Sequence, residues 1–269
     1  EREKYYEASW QRGGIGFTAT FFDLFDSLEA NETACEFVRK KIRQIVHDQK
    51  TANKLCPKDV IGCRRMVVVN DYYESYNKPN VHLVDVNETP ITEITEKGIR
   101  VGNEVHELDF IILATGFDAI TGALNRVDIR GRNGSSLKDR MLEDPKALLG
   151  IMFSGFPNLF TTNGPGAPAA LSNIVPMIEY SVDWVIDCLD FMDRSGKKTV
   201  EPNPDAEDAW AKYVDDVAKN SLYVSCKSYY LGDNVPGKPR KFLLFQGVPE
   251  YVEKCNRIAN NGYKEFVMN

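Results

Sequence analysis

Residues 110–118 read Phe-Ile-Ile-Leu-Ala-Thr-Gly-Phe-Asp, and this stretch decides the expected fold. Its first four residues are a continuous apolar run, which is typical of a strand that is covered on both faces of a parallel sheet. The run ends in Ala-Thr-Gly at 114–116, where small residues let a flat ligand approach the backbone closely. Because ligands of open α/β sheets bind at the carboxyl ends of strands, the stretch predicts an α/β fold with a binding site at 114–116. A plain strand-to-loop turn is the alternative interpretation.

Two other apolar runs extend the prediction of a sheet. Met66 to Val69 and Val81 to Val84 are expected to be strands of the same buried kind. Three further segments, at 91–95, 99–101 and 105–108, are separated by Gly-containing turn signals. They predict an antiparallel flap on a mostly parallel sheet.

Three regions have a helical pattern. Apolar residues recur at three- and four-residue steps over 34–47, with basic residues on the other face, which predicts an amphipathic helix with Asn31 as its N-cap. A long helix is predicted from Ser172 and Asn173 to near Gly196. Its apolar stripe is formed by Ile178, Val182, Val185, Leu189 and Met192.

A further helix is predicted to begin at Asn203-Pro204, because proline is favoured at the first helical position. It is expected to bury three large side chains, those of Trp210, Tyr213 and Val217.

The composition is that of a globular protein. The 269 residues are 43% hydrophobic and 27% charged, with a net charge of −6, which argues against a partner such as nucleic acid or an anionic membrane. No apolar run approaches the roughly 18 residues that a membrane helix needs. The chain begins Glu-Arg-Glu-Lys without an initiator Met, and we expect it to be part of a longer protein.

The six cysteines include no Cys-x-x-Cys pair and are too few for a disulfide scaffold, so we expect a reducing cytoplasm. No Cys/His cluster has the spacing of metal ligands, and no metal is expected.

Three motifs are candidates for ligand binding. Residues 14–19 match G-x-G-x-x-A, but no strand precedes them, so a glycine-rich loop is favoured over a dinucleotide site. The adjacent cations Arg64 and Arg65 could bind a phosphate and a developing oxyanion, or form a solvated surface pair. The loop at 164–168 precedes a helix start whose free N–H groups could stabilise an anion; a rigid loop with a capped helix is the alternative.

Six segments occur in a defined order along the chain. They are VHLVD at 81–85, ATGFDA at 114–119, DIRGR at 128–132, GFPNLF at 155–160, LSN at 171–173 and YLGDNVPGKPR at 230–240. Together they resemble the C-terminal half of a Baeyer–Villiger monooxygenase of the cyclohexanone and phenylacetone monooxygenase type, and the resemblance spans essentially the whole chain.

The resemblance implies portions of two Rossmann-like domains, which bind FAD and NADP, and an inserted helical region. Residues 1–60 would be part of the helical insertion, 61–109 the C-terminal part of the NADP-binding domain and 110–269 the C-terminal part of the FAD-binding domain. The implied enzyme converts ketones to esters or lactones with NADPH and O₂, by way of a flavin peroxide.

The resemblance also assigns roles to individual residues. Arg65 matches the active-site arginine, and Arg64 matches a position, usually Lys, that contacts the NADP phosphate. Tyr229 stands where the family usually has a Trp that contacts the nicotinamide nucleotide. The segments beside the flavin are matched by Ala114, Thr115, Gly116, Ser172 and Asn173. The ketone pocket is matched by Ala169, Ala170, Leu171 and Ile174.

Several family features do not occur in these residues. They are both G-x-G-x-x-G motifs, the F-x-G-x-x-x-H-x-x-x-W fingerprint and the acidic partner of the active-site arginine. We therefore expect the chain to need a missing N-terminal half, and alone to bind FAD weakly or not at all and to have no turnover. The alternatives are a related flavin monooxygenase that oxidises nitrogen or sulfur, and a non-catalytic binding module.

Overall fold

The computed structural model describes residues 1–245 and 247–269, and the side chain of Ala170 lies outside the description. The chain forms two compact units. The first unit contains Glu1–Ile61 and Met66–Gly116, and the second contains Gly62–Arg65 and Phe117–Asn269. The four residues Gly62–Arg65 thus belong to the second unit, although the chain on both sides of them belongs to the first.

The first unit begins with helices, as the sequence predicts. They are α1 (Arg2–Arg12), α2 (Leu28–Ile45), α3 (Gln49–Leu55) and α4 (Tyr72–Ser75), with 3₁₀ turns at Ile15–Ala19 and Phe22–Phe25. The G-x-G-x-x-A match therefore follows a helix, and the strand that a dinucleotide motif requires does not precede it.

The prediction that Asn31 caps α2 is wrong. The N-cap is Ser27, whose side chain accepts a hydrogen bond from the N–H of Ala30. Asn31 is fully buried inside the helix, where its amide group donates to the carbonyl oxygens of Leu24 at 2.8 Å and Ile61 at 3.1 Å. Its side-chain oxygen accepts from the N–H of Ile61 at 2.9 Å. The residue therefore satisfies buried backbone groups of two other segments.

The antiparallel flap is confirmed. Strands β1 (Ile91–Thr95), β2 (Gly98–Val101) and β3 (Glu104–Glu107) form one sheet in sequence order. Both pairs are antiparallel, with Ile94 opposite Ile99 and Ile99 opposite His106. Gly98 has a φ of 155°, and a Cβ there would lie 1.9 Å from the carbonyl oxygen of His106, so only glycine fits at this turn.

The prediction of three buried strands is wrong for this chain. Met66 to Val69, Val81 to Val84 and Phe110 to Leu113 form no ladder with any described residue. Val67 is 82% exposed and Ile112 is 90% exposed. A continuous apolar run becomes a buried strand only if neighbouring strands pair with it, and the described chain supplies none.

The second unit has a different architecture, with helices around an aromatic core. Its main elements are α5 (Leu137–Glu143), α6 (Ile174–Arg194), β4 (Val200–Pro202), α7 (Pro204–Lys219), α8 (Val248–Asn260) and β5 (Phe266–Met268). Strands β4 and β5 pair antiparallel. The core lies between α6, α7 and α8, where Trp184, Trp210, Phe245 and Tyr251 are buried together.

The bounds of α6 agree with the prediction, but its buried face does not. Asn173 is the N-cap and its side chain accepts from the N–H of Val175. Of the predicted stripe only Met192 is buried, and the core-facing side chains are Met177, Ser181, Trp184, Cys188 and Met192. Ile178, Val182, Ile186 and Leu189 remain exposed. The helix has apolar residues on both sides, so periodicity alone did not identify the side that faces the core.

Helix α7 begins at the predicted Asn203-Pro204 and buries Trp210. Tyr213 and Val217 are only half-buried, and Val214 takes the predicted core position instead. No helix of the described residues is long and apolar enough to cross a membrane.

A buried ion pair links α5 to the first turn of α7. The side chain of Glu207 is 1% exposed and pairs with the Arg140 guanidinium, and it also accepts from the N–H of Ser154 at 3.2 Å. Burial raises the pKa of Glu207, and Arg140 opposes that rise. The charged form of the Glu207 carboxylate is therefore stabilised in this buried position by Arg140.

We expect Arg140→Met to destabilise the second unit by about 3 kcal/mol at pH 7, because it leaves a buried carboxylate unpaired. The loss should shrink as the pH falls toward about 4.5, because the protonated Glu207 carries no charge to compensate. Urea denaturation followed by tryptophan fluorescence at pH 7 and pH 5 measures both effects. The control is Arg130→Met, which breaks an exposed pair with Asp128 and should cost less than about 0.5 kcal/mol. Equal losses in the two variants would contradict this account.

Candidate functional site

The segment Gly62–Arg65 is attached to the second unit by three consecutive residues. Cys63 forms a disulfide with Cys226, at a Cα–Cα distance of 6.1 Å. Arg64 Nη2 donates to the carbonyl oxygen of Lys227 at 3.3 Å, and Arg65 Nη1 donates to the carbonyl oxygen of Ser172 at 3.3 Å. Both arginines are largely exposed. The Arg65 guanidinium is thus held at the start of α6, and the Arg64 guanidinium is held at the segment that contains Lys227.

The acceptor for Arg65 is itself fixed by local structure. Ala169–Leu171 form a 3₁₀ turn that ends at Ser172, and the Ser172 hydroxyl donates to the carbonyl oxygen of Ala169 at 3.1 Å. Asn173 then caps α6. The side chains of Ser172 and Asn173 therefore bond to backbone groups on either side of the point where α6 begins.

The loop at 164–168 precedes this helix start and is packed in the core. All five of its residues are buried, and its backbone bonds to the 243–245 segment: the N–H of Gly166 donates to Leu243 at 2.8 Å, and the carbonyl oxygen of Ala167 accepts from Phe245 at 3.0 Å. A Cβ at Gly166 would lie 2.6 Å from the indole nitrogen of Trp210. The loop is thus a packed support, which favours the interpretation as a rigid loop with a capped helix.

Aromatic side chains lie beside the same helix start. Ala169 and Leu171 share an apolar cluster with Tyr229 and Tyr230, whose ring centroids are 4.5 Å apart. Burial raises the pKa of Tyr230 strongly, and the positive charge of Arg65 acts in the opposite direction. Arg65 therefore lies within electrostatic reach of the buried phenol. A half-buried Tyr229 completes one wall of this region.

A lysine that we did not assign from the sequence fixes the chain directly after the Ala-Thr-Gly turn. Lys238 Nζ lies 2.5 Å from a carboxylate oxygen of Asp118 and donates to the carbonyl oxygen of Ala119 at 2.7 Å. Asn234 donates to the carbonyl oxygen of Phe117 at 2.8 Å. The Lys238 side chain is only 5% exposed. The segment at 232–240 therefore clamps residues 117–119.

Both partners of this clamp lie in segments that carried the resemblance, Asp118 in 114–119 and Lys238 in 230–240. In the sequence, each motif contains a charged residue that could pair with one in the other. The two residues are 120 positions apart, so the sequence pattern does not show that they are in contact.

The second unit brings together most of the predicted site residues. They are Arg64, Arg65, Ala169, Leu171, Ser172, Asn173, Ile174 and Tyr229. Ala170 belongs to the same turn, and its side chain lies outside the described residues. Ala114, Thr115 and Gly116 belong to the first unit, where they are exposed and unpaired as a strand.

The Arg65 guanidinium at a capped helix start, and the Arg64 guanidinium at Lys227, are donors suited to an anionic ligand such as the phosphates of a dinucleotide. Among the described residues, no group of three or more His, Cys, Asp or Glu side chains could hold a metal ion.

Comparison with known proteins finds relatives along the whole chain. No family profile matches the chain. A Baeyer–Villiger monooxygenase of Pseudooceanicola batsensis is 41% identical, over 99% of this chain and 49% of the relative. A phenazine N-monooxygenase of Lysobacter antibioticus is 38% identical, over 100% of this chain and 50% of the relative. The crystal structure of OTEMO in complex with FAD and NADP has a TM-score of 0.94 at 36% identity, and covers 100% of this chain and 50% of that chain.

The matched structures include a steroid monooxygenase bound to NADP, with a TM-score of 0.92, and the OTEMO complex, and this likeness confirms the expected α/β class. The resemblance inferred from the motifs is confirmed as well. The chain is a homologue, along its whole length, of the Baeyer–Villiger monooxygenases. It spans about half the length of the relatives it matches, in agreement with the predicted C-terminal half.

We expect Lys238→Met to loosen residues 117–122, because Asp118 loses its cation and the carbonyl oxygen of Ala119 loses its donor. Losing hydrogen bonds to a charged group corresponds to about a tenfold to hundredfold faster hydrogen exchange in this segment. Mass spectrometry of peptic fragments measures it. Lys241→Met is the matched control, because it breaks another pair, with Asp144 at 2.6 Å, without contact to 117–119. Unchanged exchange in Lys238→Met would show that the clamp does not hold this segment.

Proposed function

We propose that the protein, in its complete form, is an FAD- and NADPH-dependent Baeyer–Villiger monooxygenase that converts ketones to esters or lactones with O₂. The observation that carries the proposal is the placement of Arg65, hydrogen-bonded to Ser172 at the start of α6 beside Tyr229 and Tyr230. The homology along the whole chain supports it. The bound flavin would supply the oxygen-transferring group, and this chain would supply positive charge and the walls of a pocket.

Arg65 is proposed to stabilise negative charge on the reacting oxygen atoms. A guanidinium remains protonated at any physiological pH, so it can lie beside an oxyanion without donating its proton away. Its hydrogen bond to a backbone carbonyl fixes its direction before substrate arrives, which lowers the cost of reorganisation during the reaction.

Arg64 and Tyr229 are proposed to bind NADP. The Arg64 guanidinium is held at the carbonyl oxygen of Lys227, two residues before Tyr229, so it lies at the segment that carries Tyr229. Arginine binds phosphate through two parallel N–H groups, and tyrosine offers an aromatic face and a hydroxyl donor in place of the family's indole. The reach of the Tyr229 hydroxyl differs from that of an indole N–H.

The remaining assignments rest on the sequence match. We propose that Ala114, Thr115, Gly116, Ser172 and Asn173 lie beside the flavin. We propose that Ala169, Ala170, Leu171 and Ile174 line the ketone pocket. The proposed domain limits are 1–60 for part of the helical insertion, 61–109 for the NADP-binding domain and 110–269 for the FAD-binding domain. Four of the six cysteines are free thiols, which supports a cytoplasmic location.

A further segment of chain is proposed to complete both nucleotide domains. Apolar segments whose sequence is typical of buried strands are exposed in this chain: Phe110 is 87% exposed and Leu113 is 72% exposed. The α6 side chains Ile178, Val182, Ile186 and Leu189 form a second exposed apolar surface. Apolar surface of this extent marks an interface, and the relatives are about twice as long as this chain. An N-terminal half would cover these surfaces and supply the phosphate-binding loops.

We expect Arg65→Ala, in the longest natural form of the protein that contains these residues, to lower ketone oxygenation at least about a hundredfold, because the developing charge loses its fixed cation. Gas chromatography of the lactone formed from a cyclic ketone measures the loss, and the flavin absorption spectrum checks that the variant is folded. Arg194→Ala removes another exposed arginine, at the end of α6, and should retain full activity. Normal lactone formation by Arg65→Ala would refute the assignment. Sulfoxide formation from a thioether without any lactone would instead favour the heteroatom-oxygenating alternative.

We expect the 269-residue chain alone to bind FAD weakly and to show no NADPH-dependent oxygenation, because the loops that hold the dinucleotide phosphates are not among its motifs. Equilibrium dialysis with FAD and the absorbance of the retained flavin give the stoichiometry. Stoichiometric, tightly bound flavin in the purified chain would contradict this expectation.

A further inference from the structure

The Cys63–Cys226 disulfide lies directly next to the residues proposed to bind NADP. Cys63 precedes Arg64 and Arg65, and Cys226 precedes Lys227, whose carbonyl oxygen accepts from Arg64. Gly62–Arg65 is only four residues long, and the chain on both sides of it belongs to the other unit. Because the segment is so short, a covalent bond at Cys63 directly restricts where the two neighbouring guanidinium groups lie.

This disulfide is the only one among the described residues, and three of the four other cysteines have a different character. Cys35, Cys188 and Cys255 are buried thiols, and burial raises the pKa of Cys188 and of Cys255 to about 12. Thiols of this kind are unreactive. A disulfide scaffold would use more of the cysteines, whereas a single disulfide beside free thiols is typical of a redox-responsive pair.

The surroundings of the disulfide favour exchange with external thiols. Cys63 is buried, whereas Cys226 is half-buried. Arg240 donates to the carbonyl oxygens of Val224 at 2.9 Å and Cys226 at 3.3 Å, and it pairs with Asp233 at 3.3 Å. Arg64 and Lys227 add further positive charge. Cations near a cysteine stabilise the thiolate that leaves when the disulfide opens.

We propose that Cys63 and Cys226 are positioning residues whose disulfide holds Arg64 and Arg65 in place for NADPH, and that reduction by a thiol of the glutathione or dithiol class releases them. The proposal rests on the proposed function for the role of Arg64. In the exchange, a thiolate of a dithiol attacks Cys226 Sγ and the Cys63 sulfur leaves. The second thiol then displaces Cys226, so two electrons pass to the protein, both cysteines end as thiols and the dithiol becomes a disulfide.

The first part of the test uses the 269-residue chain and does not depend on activity. Thiol alkylation and mass spectrometry should find Cys63 and Cys226 joined after purification without reductant, and free after dithiothreitol. Hydrogen exchange of residues 62–66 should become faster on reduction. Cys226→Ser should show the fast exchange without reductant, and Cys56→Ser, which removes a half-buried free thiol, should respond as the unchanged chain does. Free cysteines at both positions, or equal exchange in the oxidised and reduced chain, would overturn the proposal.

The second part uses the longest natural form that contains the chain. Reduction should raise KM for NADPH about tenfold, as expected when a charged hydrogen-bonding group is no longer held in place, with a smaller change in kcat. Re-oxidation with glutathione disulfide should restore KM. In Cys226→Ser the KM should be high and insensitive to dithiothreitol, whereas Cys56→Ser should keep the redox response.

The outcomes separate this proposal from the proposed function. An active ketone oxygenase whose KM is the same in both redox states would refute the positioning role and leave the function standing. A protein that never oxygenates ketones would refute the function, while the hydrogen-exchange comparison would still decide whether the disulfide holds Arg64 and Arg65.

Discussion

The contact between Gly166 and the indole of Trp210 is the constraint on which the second unit depends. Any side chain at Gly166 would overlap Trp210, so glycine alone lets the 164–168 loop enter the core. That loop leads directly into the turn at Ala169–Leu171 and the cap of α6, and the carbonyl oxygen that binds Arg65 lies between them. The position of a charged group at the surface is therefore set by an aromatic side chain in the core. Packing errors at Trp210 would be transmitted to the site because protein interiors deform little.

The parts of the fold that the sequence predicts well are those with local causes. The cap and start of α6, the proline-started α7 and the β1–β3 flap each depend on residues close together in the chain, and each is confirmed. The buried strands could not be predicted in the same way. A run such as Phe110 to Leu113 has the composition of a covered strand, but pairing requires neighbours that the described chain does not contain. The prediction that the apolar stripe of α6 is buried fails for the same reason. Apolar residues lie on two sides of the helix, and only the packing partner decides which side is buried.

The candidate site shows the same difference between local and long-range features. Arg64, Arg65 and the segments at 171–173 and 230–240 were found because they are short motifs that can be read in sequence. The interactions that hold them were missed because they join residues far apart: Lys238 with Asp118, Arg65 with Ser172, and Cys63 with Cys226. Asn31 is the opposite case: its residue type is favoured at helix ends, but its side chain forms buried hydrogen bonds to two other segments.

The separation of 163 residues between Cys63 and Cys226 makes more than half of the chain a covalently closed ring. Within that ring lie the flap, the Ala-Thr-Gly turn, α5, α6 and α7. A protease that cleaves one exposed loop inside it, such as the residues before β1, would leave the two pieces joined and migrating as one molecule until a reductant is added. In the oxidised protein, backbone continuity at such a loop is therefore dispensable for keeping the parts of the molecule together.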